Sequence, residues 1–161
     1  DAEQHRAQYA NVAKRSRYFL VAPAKVDDLS DSRGESEIGF RYYEGAAAGA
    51  VMLGEVPTCE HYAELFGWPE AVIEVNPDGS DVRDVIAKLD AQPEHAGTIR
   101  RRNAAQALLR HDWVYRWSEI YRVAGVEPSD GMRARERRLL ELATMADAPV
   151  VLQSNQNVAK R

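Results

Sequence analysis

Apolar positions along this chain fall into two rhythms. Short unbroken apolar runs at 18–22, 50–53 and 71–75 read as strands covered on both faces. Around them, apolar residues recur every three or four positions, which is the helical period. Residues 3–17 read as an amphipathic helix with Tyr9, Val12 and Ala13 turned inward, while Lys14, Arg15 and Arg17 gather at the negative end of its dipole. Pro23 stops the first strand, and the polar stretch 25–35, rich in Asp, Ser and Gly, reads as a loop. From Ile38 the helical period resumes. Phe40, Tyr43, Ala47 and Ala50 are the expected inward face, Ser36 the expected N-cap, and Gly49 the stop before the next strand. Gly45, Ala46, Ala48 and Gly49 would let a neighbouring element come close.

The alternation continues. Thr58 is a candidate cap for a short helix over 60–66, with Tyr62, Leu65 and Phe66 inward. Asn76-Pro77-Asp78-Gly79 reads as a turn, because Pro and Gly preset its angles. Ser80 or Asp81 can cap a helix through Leu89 that points Val82, Val85, Ile86 and Leu89 inward. Strands separated by helices at this spacing predict parallel βαβ units, hence an α/β fold. After Pro93 the chain is helical, first to Arg110, then from Asp112 to Ala124, then over 132–146. Trp113, Trp117, Ile120 and Tyr121 share one aromatic face of the second piece. Residues 148–152 read as a last strand or a frayed tail. The expected division is 1–110 for the α/β part and 111–161 for a helical extension.

Composition narrows the function classes. At 161 residues the chain is one domain's worth, with 29% charged residues as in ordinary soluble domains. A net charge of −4 argues against a general nucleic-acid surface, which carries a basic excess. The single cysteine, Cys59, forms no internal disulfide and suits a reducing compartment, and no run is long and apolar enough for a transmembrane span. The expected location is the cytoplasm. The four histidines lie apart and no metal-ligand spacing occurs, so no metal is expected. The chain opens on Asp1 rather than Met and is expected to be part of something longer. The triplet 100–102 and the arginines over 133–138 read as solvated helix faces, and Lys25 as a loop lysine.

The chemical question lies at Glu44, a carboxylate at the edge of an apolar stripe beside Gly45 and Ala46. With Arg41 it can form an i, i+3 ion pair; alternatively it is a ligand-binding group. Arg41 likewise is either a solvated residue or an anion clamp, and the helix start at Ser36 to Gly39 can bind an anion through backbone N–H groups. The run Arg41-Tyr42-Tyr43-Glu44-Gly45-Ala46-Ala47-Ala48-Gly49-Ala50-Val51-Met52-Leu53 resembles the C-terminal, donor-binding domain of GT-B fold glycosyltransferases of the group 1 class. The resemblance implies a partial Rossmann-like parallel sheet flanked by helices, with a helical C-terminal extension. It further implies a nucleotide-diphosphate sugar as donor, ribose held by Glu44, and Gly39, Phe40 and Arg41 near the diphosphate, with no cofactor and no obligate metal. Many members place a second glutamate eight positions before the first. Here that position is Ser36, flanked by Glu35 and Glu37, either of which is a candidate sugar contact. A complete enzyme of this kind has a second, N-terminal domain, so the expected partners are that domain or a second copy, besides an acceptor. A non-catalytic α/β binding or protein-interaction module is the competing expectation.

Overall fold

The computed structural model describes residues 1–23 and 37–148. The expected loop over 25–35, with Lys25 and Glu35, and Ser36 lie outside the described residues, as does most of the expected last strand; the N-cap position expected at Ser36 is held by Gly39, because that helix starts only at Phe40.

The chain is α/β, as expected. The three strands β1 (Tyr18–Val21), β2 (Val51–Gly54) and β3 (Val72–Glu74) pair in parallel in sequence order, with Tyr18 opposite Val51 and Met52 opposite Val72. Every residue of the central strand β2 is buried, consistent with its unbroken apolar run. Among the described residues, seven helices surround the sheet: α1 (Ala2–Arg15), α2 (Phe40–Ala47), α3 (Tyr62–Phe66), α4 (Val82–Asp90), α5 (Pro93–Arg110), α6 (Trp113–Ala124) and α7 (Asp130–Asp147). One core lies under α2, where Tyr42, Ala46, Met52, Phe66 and Trp68 pack together. The other lies under α4 and the start of α5, around Val51, Leu53, Leu89, Ala96 and Ile99. The C-terminal helix α7 packs along α5.

Local chemistry explains most boundaries. Asp1 caps α1 by accepting from the Gln4 N–H, Asp112 caps α6 through Val114, and Ser129 caps α7 through Met132. Gly49 ends α2 region as expected, at φ 63°, a left-handed backbone that favours glycine. The 76–79 turn closes through the Gly79 N–H on the Asn76 carbonyl at 2.8 Å. Asp81 sits at the cap position of α4 but serves the turn instead, its Oδ1 accepting from the Asn76 N–H at 2.8 Å. The short helix α3 begins later than expected, with His61 rather than Thr58 at its cap position.

The buried face of α2 differs from the expected one. Phe40 is 86% exposed and Ala47 is exposed, whereas Tyr42, Gly45 and Ala46 are buried. The smallest residues define the closest approach of helix to sheet: a Cβ on Gly45 would lie 2.8 Å from the Met52 sulfur and 3.0 Å from the Phe19 ring. Glycine is therefore part of the packing face beside Tyr42, and Phe40 stands outside it. In α1, Ala13 is buried and Tyr9 half-buried as expected, but Val12 points to solvent.

The arginine triplet also departs from a solvated face. Arg100 Nε donates to the Gly49 carbonyl at 2.9 Å and Arg102 to the Pro69 carbonyl at 3.3 Å, each joining α5 to a segment beside the sheet. Beside them on α5 stands Asn103, wholly buried. Its amide donates to the Ala50 carbonyl at 2.9 Å and the Ala71 carbonyl at 3.4 Å, and its Oδ1 accepts from the Trp68 indole at 2.7 Å. Ala50 and Ala71 immediately precede β2 and β3, so one side chain fixes where two strands begin. Replacing Asn103 by Leu would leave the indole N–H buried without its acceptor and two carbonyls without a donor. Urea unfolding should then show a loss of roughly 3 kcal/mol or more; an Asn103→Leu protein as stable as the parent would overturn this role.

Candidate functional site

In a right-handed βαβ unit the helix after a strand starts at the carboxyl edge of the sheet. That places the beginning of α2 beside the ends of β1 and β2. Gly39 occupies the N-cap position in extended geometry and supplies no side-chain hydrogen bond, and no acidic residue lies in the first turn. Among the described residues no carboxylate stands in the first turn of this helix, and Arg41 adds a positive charge there.

One turn on, Glu44 projects toward α1. Tyr9 Oη donates to Glu44 Oε2 at 2.8 Å, and Arg41 donates to the same oxygen at 3.1 Å. Arg41 also donates to the Tyr9 hydroxyl, and its guanidinium lies 5.0 Å from the centre of the Tyr9 ring. The expected i, i+3 pair is present, and both its side chains are more than one-third exposed. A pair in that setting is worth less than about 1 kcal/mol. Among the described residues Oε1 accepts no hydrogen bond. Glu44 lines a groove of about 280 Å³ between α1 and α2, with Tyr9, Ala10 and Ala13 on one wall and Glu44, Ala47 and Ala48 on the other.

The structure thus brings Gly39, Phe40, Arg41 and Glu44 together at one end of α2, with Glu37 exposed just ahead of them. Ser36 lies outside the described residues. Sequence reasoning placed Tyr9 in the core and missed its phenol as a partner of Glu44, since nothing in the spacing of α1 links position 9 to position 44. Cys59 is partly buried, with its thiol free. Among the described residues no group of three or more His, Cys, Asp or Glu is arranged to hold a metal ion.

A family model described as glycosyl transferase-like matches residues 2–122, from the start of α1 through most of α6. The chain belongs to the glycosyl transferase-like family. No curated protein and no solved structure matches it. The matched span of this glycosyl transferase-like chain contains the whole Rossmann-like sheet and the α2 site, whereas α7 lies beyond it. Membership assigns the chain to glycosyl transfer in general terms. No helix among the described residues is long and apolar enough to cross a membrane.

Behind the α2 site of this glycosyl transferase-like domain lies an aromatic cluster. The His111 ring sits 4.9 Å from Tyr43 and 4.8 Å from Phe66, with Trp68 at 6.1 Å. Both His111 nitrogens are buried and, among the described residues, neither has a hydrogen-bond partner. Burial first, then the positive charges of Arg116 and Arg110, push its pKa down from 6.5 to about 4. Burial also raises the Tyr43 hydroxyl. Asp112 beside His111 is held below the usual carboxylate range by Arg135 at 2.6 Å. The unfolded chain takes up a proton at His111 below pH 6.5, while the folded chain resists until about pH 4. Stability from this group is therefore complete above pH 6.5 and falls progressively toward pH 4. The fall should amount to roughly 2–3 kcal/mol. It should appear as the difference between parent and His111→Phe in urea unfolding across that window, and identical pH profiles would sink the assignment.

Proposed function

We propose that this chain is the donor-binding domain of a glycosyltransferase and that α2 holds a nucleotide-diphosphate sugar. The observation that carries the reading is the arrangement along α2. An uncapped, acid-free helix start with Arg41 in its first turn stands one turn from a half-exposed carboxylate, within the span that matches the family. Gly39 and Glu44 are five residues apart, about 7.5 Å along a helix axis. That spacing suits a diphosphate at the N–H groups of the first turn and a ribose at Glu44.

The chemistry follows from charge. As the bond from the sugar to the diphosphate breaks, negative charge grows on the departing nucleoside diphosphate. Helix-terminal N–H groups and the forked guanidinium of Arg41 stabilise that charge without a metal. Glu44 Oε1 accepts from a ribose hydroxyl and fixes the nucleotide in register. Glu37, exposed ahead of the helix, is placed to accept from sugar hydroxyls. The acceptor, and the group that takes its proton, belong to a second domain that closes over this edge of the sheet.

Calorimetric titration with nucleoside diphosphates tests the ribose assignment. Loss of a hydrogen bond to a charged group should make Glu44→Ala bind roughly 10- to 100-fold more weakly. Arg41→Ala should weaken binding more steeply at low salt than at high salt. A folded Glu44→Ala protein with unchanged affinity would sink the ribose role, and a parent chain indifferent to every nucleotide would favour a non-catalytic interaction module.

A further inference from the structure

Helix α6 turns its more apolar side to solvent. Its inward side is fixed by buried Val114 and by two polar ties: Tyr115 donates to the Leu108 carbonyl at 2.9 Å, and Ser118 donates to Glu136 of α7. The opposite side carries Trp113, Trp117 and Ile120 at i, i+4 and i+7, followed one turn later by Ala124, all exposed. Trp117 is already ordered, its ring edge-to-face on Tyr121 at 6.4 Å, so it has little rotamer freedom left to lose when covered. Trp113 is 75% exposed, Trp117 52%, Ile120 53% and Val123 73%. At about 250 Å² for a fully covered indole and about 100 Å² for Ile or Val, these four present roughly 450 Å². Tyr121, Ala124 and Val126 border them and bring the patch toward the roughly 600 Å² per copy at which specific interfaces begin.

We propose that this stripe pairs with the same stripe of a second copy of the chain, the two α6 helices running antiparallel about a twofold axis. The order of charges singles out a copy as the partner. On one flank of the stripe stand Arg116 and, one turn on, Glu119, both exposed. A twofold axis brings like flanks together in reverse order. With the axis between Trp117 and Ser118, Arg116 of each copy stands level with Glu119 of the other, which gives two opposite-charge contacts. The same placement seats the aromatics. The two Trp117 side chains flank the axis, offset by about 1.5 Å along the helices. Trp113 falls midway in height between Ile120 and Ala124 of the second copy, where the small Ala124 leaves room for an indole. Within one chain Glu119 accepts from Arg122 at 2.5 and 2.8 Å, an exposed pair that leaves its carboxylate able to accept from Arg116 as well. A bilayer fits this surface less well. Arg116 and Arg122 are balanced by Glu119 and Glu127, and the chain carries a net charge of −4, so the basic excess that holds a helix to anionic lipid is missing.

Sedimentation velocity on the 161-residue chain reads the pairing. Between about 1 and 200 µM the parent should pass from monomer to dimer, with a dissociation constant of roughly 1–100 µM as suits a small interface. Trp117→Ser should weaken the dimer roughly 30-fold or more, and circular dichroism checks that this variant folds. Arg116→Glu and Glu119→Arg each set like charges against one another twice and should each weaken it roughly five-fold. An equimolar mixture of those two variants should regain the parent affinity, because in the mixed pair every glutamate meets an arginine. A parent that stays monomeric throughout would overturn the proposal. Co-sedimentation of that monomer with phosphatidylcholine–phosphatidylserine vesicles, lost in Trp117→Ser, would then give the stripe to a bilayer, and its absence would give the stripe to another domain. A dimer indifferent to Trp117→Ser would overturn α6 as its seat, and a mixture no tighter than its components would overturn the antiparallel pairing.

Discussion

The architecture depends on one buried amide. The three short parallel strands among the described residues supply few ladder hydrogen bonds, and the central one is covered on both faces, so something must hold the helices to the strand ends. Asn103 does this from the middle of α5, reaching the residues before β2 and β3 and the Trp68 indole together. Every polar atom of its side chain is engaged, which is the condition under which a buried amide specifies a fold rather than weakening it. Arg100 reinforces the same junction from the neighbouring turn by binding the Gly49 carbonyl. The sharp bend between α2 and β2 is thus clamped from α5, and the direction of α2 follows from it.

That direction decides what α2 can offer. Because Gly45 sits directly over Met52, the helix lies as close to the sheet as a backbone can, and Tyr42 and Ala46 fill the space on either side. The opposite margin, with Phe40, Glu44 and Ala47, is then released from packing and left to solvent and to α1. A helix with a large residue in place of Gly45 would stand further out and tilt, and Glu44 would no longer meet Tyr9. The run of small residues serves both sides of α2, Gly45 and Ala46 closing the core and Ala47 and Ala48 lining the groove toward α1.

Much of this was legible in the residues. The three apolar runs became the three strands, and Pro93, Asp112 and Gly49 marked helix boundaries through well-understood backbone chemistry. On α2 the close approach expected at Gly45 and Ala46 was found, but the inward face was placed on Phe40 and Ala47 rather than on Tyr42 and Ala46, because in a helix of two turns neighbouring stripes share nearly the same period. Asn103 left a signal that went unused: it falls on the same stripe as Ala96, Ile99 and Ala107, and a polar residue there must find partners. The arginine triplet was taken for a solvated face because composition cannot show that carbonyls of Gly49 and Pro69 lie within reach. At the site, the cluster from Gly39 to Glu44 was readable because it is contiguous. Tyr9 was not, since it arrives from 35 residues away and only the folded pairing of α1 with α2 brings it there.

The contacts around Glu44 reconcile a structural role with a binding role through their size. Tyr9, Arg41 and Glu44 form a closed set of three, which taken alone reads as a tie between two helices. All of it is near the surface, and a half-exposed ion pair with one phenol contributes less than about 1 kcal/mol as a pair. In the proposed donor complex, a diphosphate at the start of α2 would carry more charge than one carboxylate and offer Arg41 a bidentate partner, so the guanidinium would turn toward it at little cost. Glu44 would then lose one of the donors it has in the free chain and gain capacity for a hydroxyl. A tie this weak fixes little of the position of α1, so the same three side chains can serve as a surface contact in the free chain and, under that proposal, as ligand-binding groups.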